Sequence, residues 1–264
     1  MQENLFPNLP NCSVVRGFHT HRSLMSKLLN HHVILSDEGM AGNIWGGNFQ
    51  EEFELNIKRI KMLYNDPLIV LGIRNQVDWL PSLYKQHLHQ KSTDSMDVFF
   101  NPNNTGKLKL DDLLLMPKIK LVQENFKDVF IYSQKTLLKR QNEFIQGFLE
   151  FIGEENKDQI QLPKLKKANV GVKSNLQLKS LMFLNKVNKV FEGIHPQLSM
   201  YHPILRFMHL TPRNFAQTAL KGIPSQKFEM EASLLEFVEK YYKADWTSAS
   251  KLITYGDSIT VSSE

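Results

Sequence analysis

The stretch "PLIVLGIRNQVDWLPSLYKQHL", Pro67 to Leu88, constrains the fold more than any other. It opens as a continuous apolar run rich in β-branched residues, the signature of a strand buried on both faces. It meets Arg74 and turns into an amphipathic helical pattern carrying Ser82. A strand that ends on a cation and feeds a helix belongs to an α/β architecture. In an open parallel sheet, ligands lie outside the carboxyl ends of the strands. Proline is tolerated in the first turn of a helix, so Pro81 predicts a helix capped by Asp78 with Ser82 just after its first turn. Arg74, Ser82 and a helix N-terminus together favour an anion, most simply a phosphate. The structural alternative is an ordinary ion pair at Arg74 and a solvated hydroxyl at Ser82.

The rest of the chain repeats the alternation. Short apolar strands are expected at about Ser13–Arg16, His32–Ser36, Leu68–Ile73 and Asp128–Tyr132. Helical periodicity fills "HRSLMSKLLNH", "NFQEEFELNIKRIKMLY" and, on either side of Pro117, "KLDDLLLMPKIKLVQENF". "SQKTLLKRQNEFIQGFLEFIG" reads as an amphipathic helix started by Ser133 and stopped by Gly153. Strands alternating with helices of this length predict a parallel sheet with helices on both faces. "FFNPNNTGKLKL", Phe99 to Leu110, is the most turn-rich stretch and is expected to leave the sheet as a surface or substrate-side loop. Beyond Asn169 the pattern is mostly helical.

Composition narrows the partners. The 264 residues are 42% hydrophobic, enough for a proper core, and carry 32 basic against 27 acidic side chains, a net of +5. That charge is spread along the chain, whereas a nucleic-acid binder shows a denser stripe. No nucleic-acid partner is therefore expected. A small, highly charged phosphate ligand suits the balance. One cysteine, Cys12, rules out an intramolecular disulfide and a cysteine zinc site. No apolar run approaches the roughly 20 residues of a membrane span, and no signal-peptide pattern opens the chain. A soluble cytoplasmic protein is the expectation.

"IRNQVDWLPSLYKQ" resembles the 3′-phosphate-binding motif of sulfotransferases, in which a strand ends in Arg, Asn often follows, and a Ser eight residues after the Arg precedes an aromatic. Here these are Arg74, Asn75, Ser82 and Tyr84. "HHVILSDEGMAG" is similar to the strand and acidic turn of bacterial and carbohydrate-type members. "DVFIYSQKTLLKRQNEFIQGFLEFIG" resembles their later strand, turn and helix. "KKANVGVKSN" is similar to their Asn-rich loop before the C-terminal helices. The four segments fall in the family's order over roughly residues 5–185, leaving 186–264 as a helical C-terminal cap on a single sulfotransferase-like domain.

The resemblance implies a P-loop-like parallel sheet flanked by helices. It implies transfer of a sulfuryl group from 3′-phosphoadenosine 5′-phosphosulfate to a hydroxyl, with a carbohydrate or other small molecule as acceptor. Arg74 and Ser82 would hold the donor's 3′-phosphate, with Lys173, Ser174 and Asn175 lining that side. Glu38 would be the general base, with Asp37 as its possible replacement; His31 and His32 rank below them. No metal is expected. The histidine pairs "HTH" (His19, His21) and "HLH" (His87, His89) have chelating spacing, but the first has no evident carboxylate partner. On a helix the second pair would point apart. Trp79 and Tyr84 are either adenine-stacking rings or core.

One family element has no counterpart: the strand and phosphosulfate loop whose Lys stabilises the leaving oxygen. The opening "MQENLFPNLPN" is similar to the family segment just past that loop, which reads as an N-terminally truncated fold. "NNTGKLKL" holds Gly106–Lys107, but no strand precedes it. Whether the chain is an enzyme thus stays open. The alternative is a catalytically degenerate sulfotransferase fold that binds nucleotide weakly or acts as an interaction module. A small-molecule kinase fits less well, because the lysine loop is missing and the Arg–Ser spacing differs.

Overall fold

A computed structural model of the chain describes residues 34–36, 38–64, 66–154, 174–195, 199–200, 211–218 and 226–254. The described residues are α/β and mostly helical, with a small parallel sheet. Their strands are β1 (Ile69–Ile73) and β2 (Val129–Ser133), paired in parallel from Ile69 opposite Val129 to Ile73 opposite Ser133. A parallel pair cannot be closed by a hairpin and needs a crossover connection. The α-helices, in chain order, are α1 (Phe49–Leu63), α2 (Gln76–His89), α3 (Met96–Phe99), α4 (Met116–Asn125), α5 (Gln134–Lys139), α6 (Gln141–Phe151), α7 (Asn175–Ile194), α8 (Pro212–Thr218) and α9 (Ala232–Ser250).

The chain divides into two compact units. The first holds residues up to Ile73, Leu110–Lys157 and those from Ala244 onward; the second holds Arg74–Lys109 and Asp158–Lys243. In the first unit Phe53 and Ile57 of α1 pack on Val122 of α4 and on Phe126, with Ile69, Leu71 and Val129 of the sheet against them. α1 builds this face by placing apolar residues at helical spacing. The start of α4 is capped from α9: the Asp245 carboxylate accepts from Leu115 N and Met116 N, both at 2.9 Å. A carboxylate there answers two backbone donors that the helix cannot satisfy itself.

Beside that cap lies a buried lysine. Lys118 Nζ donates to the carbonyls of Leu114 (2.7 Å), Asp112 (3.1 Å) and Asp111 (3.4 Å), and sits 5.2 Å from the Phe49 ring centroid. Burial pushes its pKa down to about 8, against the pull of Asp112, Asp245 and Asp111.

Several local expectations change. The strand expected at His32–Ser36 carries no ladder over its described residues, and Ile34 is exposed; a strand persists only where a neighbour completes its hydrogen bonds. Ser13–Arg16, like the helix expected over "HRSLMSKLLNH", lies outside the described residues. Pro117 stands in the first turn of α4, and the helical structure ahead of it is only the 3-10 turn Asp111–Leu113. Ser133 does start a helix, its Oγ accepting from Thr136 N at 3.0 Å, but the helix breaks at Arg140 before α6 resumes it. Gly153, at φ +77°, follows the end of α6 in a conformation that glycine adopts without strain.

The loop Phe99–Leu110 does reach the surface, its tip at residues 102–105 being exposed, but it is anchored at both ends. Phe99, Phe100 and Leu108 are fully buried, and Lys107 N and Leu108 N donate to the carbonyls of Val98 and Phe99. A Cβ on Gly106 would lie 2.7 Å from the Phe99 carbonyl oxygen, so only glycine fits that approach.

Candidate anion-binding site

The site is built on α2, in the second unit. Asn75, not Asp78, is the N-cap: its Oδ1 accepts from Val77 N at 3.0 Å. Both residue types cap well; the one next to Arg74 takes the role. Pro81 consequently sits inside the helix, beyond its first turn, and Ser82 is further from the helix N-terminus than the capping by Asp78 implied. The backbone donors at that terminus are therefore not beside the Ser82 hydroxyl.

The inner face of α2 is set by Leu80, Leu83, Tyr84, His87 and Leu88, all buried and spaced three or four apart. That periodicity puts Asp78, Ser82 and Lys85 together on another face, at i, i+4 and i+7. Arg74 immediately precedes the cap.

A second strand of chain meets this face from far away in sequence. Ser174 caps α7 through a reciprocal box with Gln177, both hydrogen bonds at 3.3 Å. Ser174 also forms an antiparallel bridge with Lys227, and Asn175 N donates to Gln226 O at 2.9 Å. The next residue, Phe228, lays its ring 5.8 Å from that of Tyr84, and Lys85 Nζ lies 5.4 Å from the Phe228 centroid. Lys227 is thereby brought toward α2 alongside Lys85 and Arg74.

The electrostatics report this convergence. Burial lowers the Lys85 pKa, and the neighbouring charges of Lys227 and then Arg74 lower it further. Burial also lowers the Arg74 guanidinium, with Asp78 acting against it. Among the described residues none of Arg74, Lys85 and Lys227 forms an ion pair with a carboxylate. Three cations are thus gathered with no ion-paired carboxylate among the described residues, Asp78 acting on Arg74 as a neighbouring charge.

The opposite face of α2 is fully answered. Asp94 Oδ2 accepts from His87 Nε2 (2.6 Å), Lys107 Nζ (2.7 Å) and Ser92 Oγ (2.8 Å). Burial alone would raise the Asp94 carboxyl; the bonds from Lys107, His87 and Ser92 instead hold it at about 2. The His87 ring stacks on Phe99 at 4.8 Å. Ser92 bonds the carboxylate and not the imidazole, so this cluster lacks the hydroxyl-to-base contact that a nucleophile requires. Tyr84 belongs to the same core: its hydroxyl donates to the Asp94 carbonyl at 3.1 Å, and burial and then Asp94 push its pKa up to about 12. That buried ring is not open to a nucleotide base. Trp79 is partly buried.

Of the residues singled out in the sequence, Arg74, Ser82 and Ser174 lie in the second unit, Arg74 within the cation cluster, Ser82 on the α2 face carrying Lys85, and Ser174 bridged to Lys227. Lys173 and Asp37 lie outside the described residues, as do His19, His21, His31 and His32. Glu38 opens a short 3-10 turn, Glu38–Ala41, in the first unit. Lys85 and Lys227 escaped sequence reasoning. Lys85 is legible in hindsight, one turn beyond Ser82; Lys227 has no local signal, since its place depends on the bridge to Ser174. No helix among the described residues is long and apolar enough to cross a membrane. Comparison of the chain with protein-family models, with curated proteins and with solved structures returns no match.

Proposed function

We propose that the chain is a sulfotransferase-like protein that binds 3′-phosphoadenosine 5′-phosphosulfate, with Arg74 and Ser82 holding the 3′-phosphate. The acceptor on this reading is a hydroxyl, most simply of a carbohydrate, and Glu38 or Asp37 is the general base. One observation carries the proposal: Arg74 lies among cations that have no carboxylate partner among the described residues. Gathered like charges are unfavourable unless a ligand of opposite sign completes them. A guanidinium suits the oxygens of a phosphate. A P-loop-like sheet is part of the same reading, and the parallel β1–β2 pair supports it.

A second reading, nucleotide binding without transfer, is favoured by one specific contact pattern. Gly106–Lys107 is the Gly-Lys turn nearest in type to a phosphate loop. Its lysine is committed to Asp94 and its glycine to close packing on Phe99 and Phe100. It is therefore occupied by structural work.

Calorimetric titration with adenosine 3′,5′-bisphosphate tests the shared part of both readings. The Arg74→Ala variant is expected to bind at least about tenfold more weakly, the scale of one charge-assisted hydrogen bond. Equal affinity in the two proteins, or no binding by a folded chain, overturns the proposal. A transfer assay with labelled donor and a Glu38→Gln control then separates the enzyme from the binder.

A further inference from the structure

We infer that Lys85 and Lys227 are two further anchoring residues of this site, and that with Arg74 they select a doubly charged phosphate monoester over a singly charged phosphodiester. The inference rests on reading the outer face of α2 as an anion site.

Three segments of the second unit supply the three cations. Arg74 comes from the approach to α2, Lys85 from its second half, and Lys227 from the extended piece bridged to Ser174. Their placement is fixed by backbone and ring contacts. The Ser174–Lys227 bridge and the Asn175-to-Gln226 hydrogen bond hold the backbone at Lys227. Phe228 wedges between that backbone and α2, its ring against Tyr84 and within cation–π distance of Lys85 Nζ. Phe228 is thus a positioning residue. Its ring lies under the Lys85 ammonium and leaves that ammonium with donors to spare, because a ring face takes no conventional hydrogen bond.

The charge count sets the ligand class. Arg74, Lys85 and Lys227 contribute three positive charges, and Asp78, which acts on Arg74, contributes one negative, leaving a net of two. A terminal phosphate monoester near neutral pH carries close to two negative charges; a diester carries one. Like charges drawn together resist one another, and that repulsion is relieved most by the dianion. Elsewhere in this unit Lys107 is paired with Asp94 and Lys91 with Glu192. At this face Lys85 and Lys227 are drawn together with no such partner among the described residues.

The test uses the full chain, its Lys85→Gln, Lys227→Gln and Phe228→Leu variants, and three probes: adenosine 3′-phosphate, its methyl ester, and inorganic phosphate. Circular dichroism and thermal melting confirm that each variant is folded. The wild type is expected to bind adenosine 3′-phosphate about tenfold or more above the methyl ester, and each glutamine variant to lose most of that preference, as expected for loss of a charged contact. Phe228→Leu is expected to weaken the monoester with both lysines retained. If adenosine 3′-phosphate binds through Arg74 but the glutamine variants match the wild type, the inference falls and the nucleotide reading stands. If inorganic phosphate binds in a manner lost in the glutamine variants, while no nucleotide binds better than phosphate, the nucleotide reading falls and the monoester site stands. If no probe binds a folded wild type, both fall.

Discussion

Lys118 and Lys85 are both lysines whose pKa burial lowers, yet they are opposites. In the first unit, Lys118 is nearly sealed from solvent and its three donors are spent on the carbonyls of Leu114, Asp112 and Asp111. It ties the turn Asp111–Leu113 to α4 and serves the fold. In the second unit, Lys85 is only partly buried, rests on a ring, and faces other cations. On the proposed reading an anion completes its neighbourhood. A depressed lysine is thus no mark of function by itself; what matters is whether protein oxygens already answer the ammonium.

Asp94 provides the strongest way to break this contrast, because it shows the second unit pairing its cations where structure requires. Asp94→Ala leaves His87, Lys107 and Ser92 without their shared acceptor, and a loss of about 3 kcal/mol in unfolding free energy is expected from chemical denaturation. The pH dependence has a definite sign. The folded Asp94 value, about 2, lies below its ordinary 3.8. The unfolded chain therefore takes up the proton first, and the contribution is present above about 3.8 and disappears as pH falls through about 2. An Asp94→Asn variant should lack that acid dependence. If it retains the wild-type slope, the hub is not the source.

Lys118→Ala comes next. It removes three donors and leaves a void beside Phe49, so about 2 kcal/mol of destabilisation is expected. Here the slope has the same sign as for Asp94 but falls in an alkaline window. The folded value, about 8, lies below the ordinary 10.5, so between these the unfolded chain binds more protons and wild-type stability rises with pH. Melting curves across that window should show the rise in wild type and not in the variant. Lys85→Ala is the smallest effect and the sharpest contrast. Measured in phosphate-free buffer, it should change stability by no more than about 0.5 kcal/mol, on the stabilising side, because it relieves repulsion and breaks no ion pair. A loss as large as that of Lys118→Ala would mean Lys85 serves the fold and not a ligand.

Local patterns are legible in the sequence and long-range ones are not. The apolar run at Ile69–Ile73 and the amphipathic helices are readable because their periodicity is contained within each segment. So is the stop at Gly153. The cap of α2 is misplaced by sequence reasoning because Asn75 and Asp78 are equally good capping side chains and Pro81 suggests a later start; nothing local chooses between them. The loop around Gly106 reads as a surface excursion because a glycine needed for a turn and one needed for close packing look the same in sequence. Arg74 and Ser82 are visible as a pair of residues at family-like spacing. The rest of the cluster is not, since Lys85 gains meaning only beside Phe228 and Lys227, which arrive from another part of the chain.

The bridge between Ser174 and Lys227 joins positions 53 apart in the chain, 227 minus 174. Closing a loop of that length costs chain entropy that grows only slowly with its size. An anion clasped by Lys85 and Lys227 would act as a removable clip between α2 and that bridged segment, binding the closed form and not the open one. By mass action the second unit would then gain stability with every rise in anion concentration. Phosphate in a storage buffer would thus serve as a folding aid, and its removal by dialysis would lower the melting temperature before any assay of chemistry began.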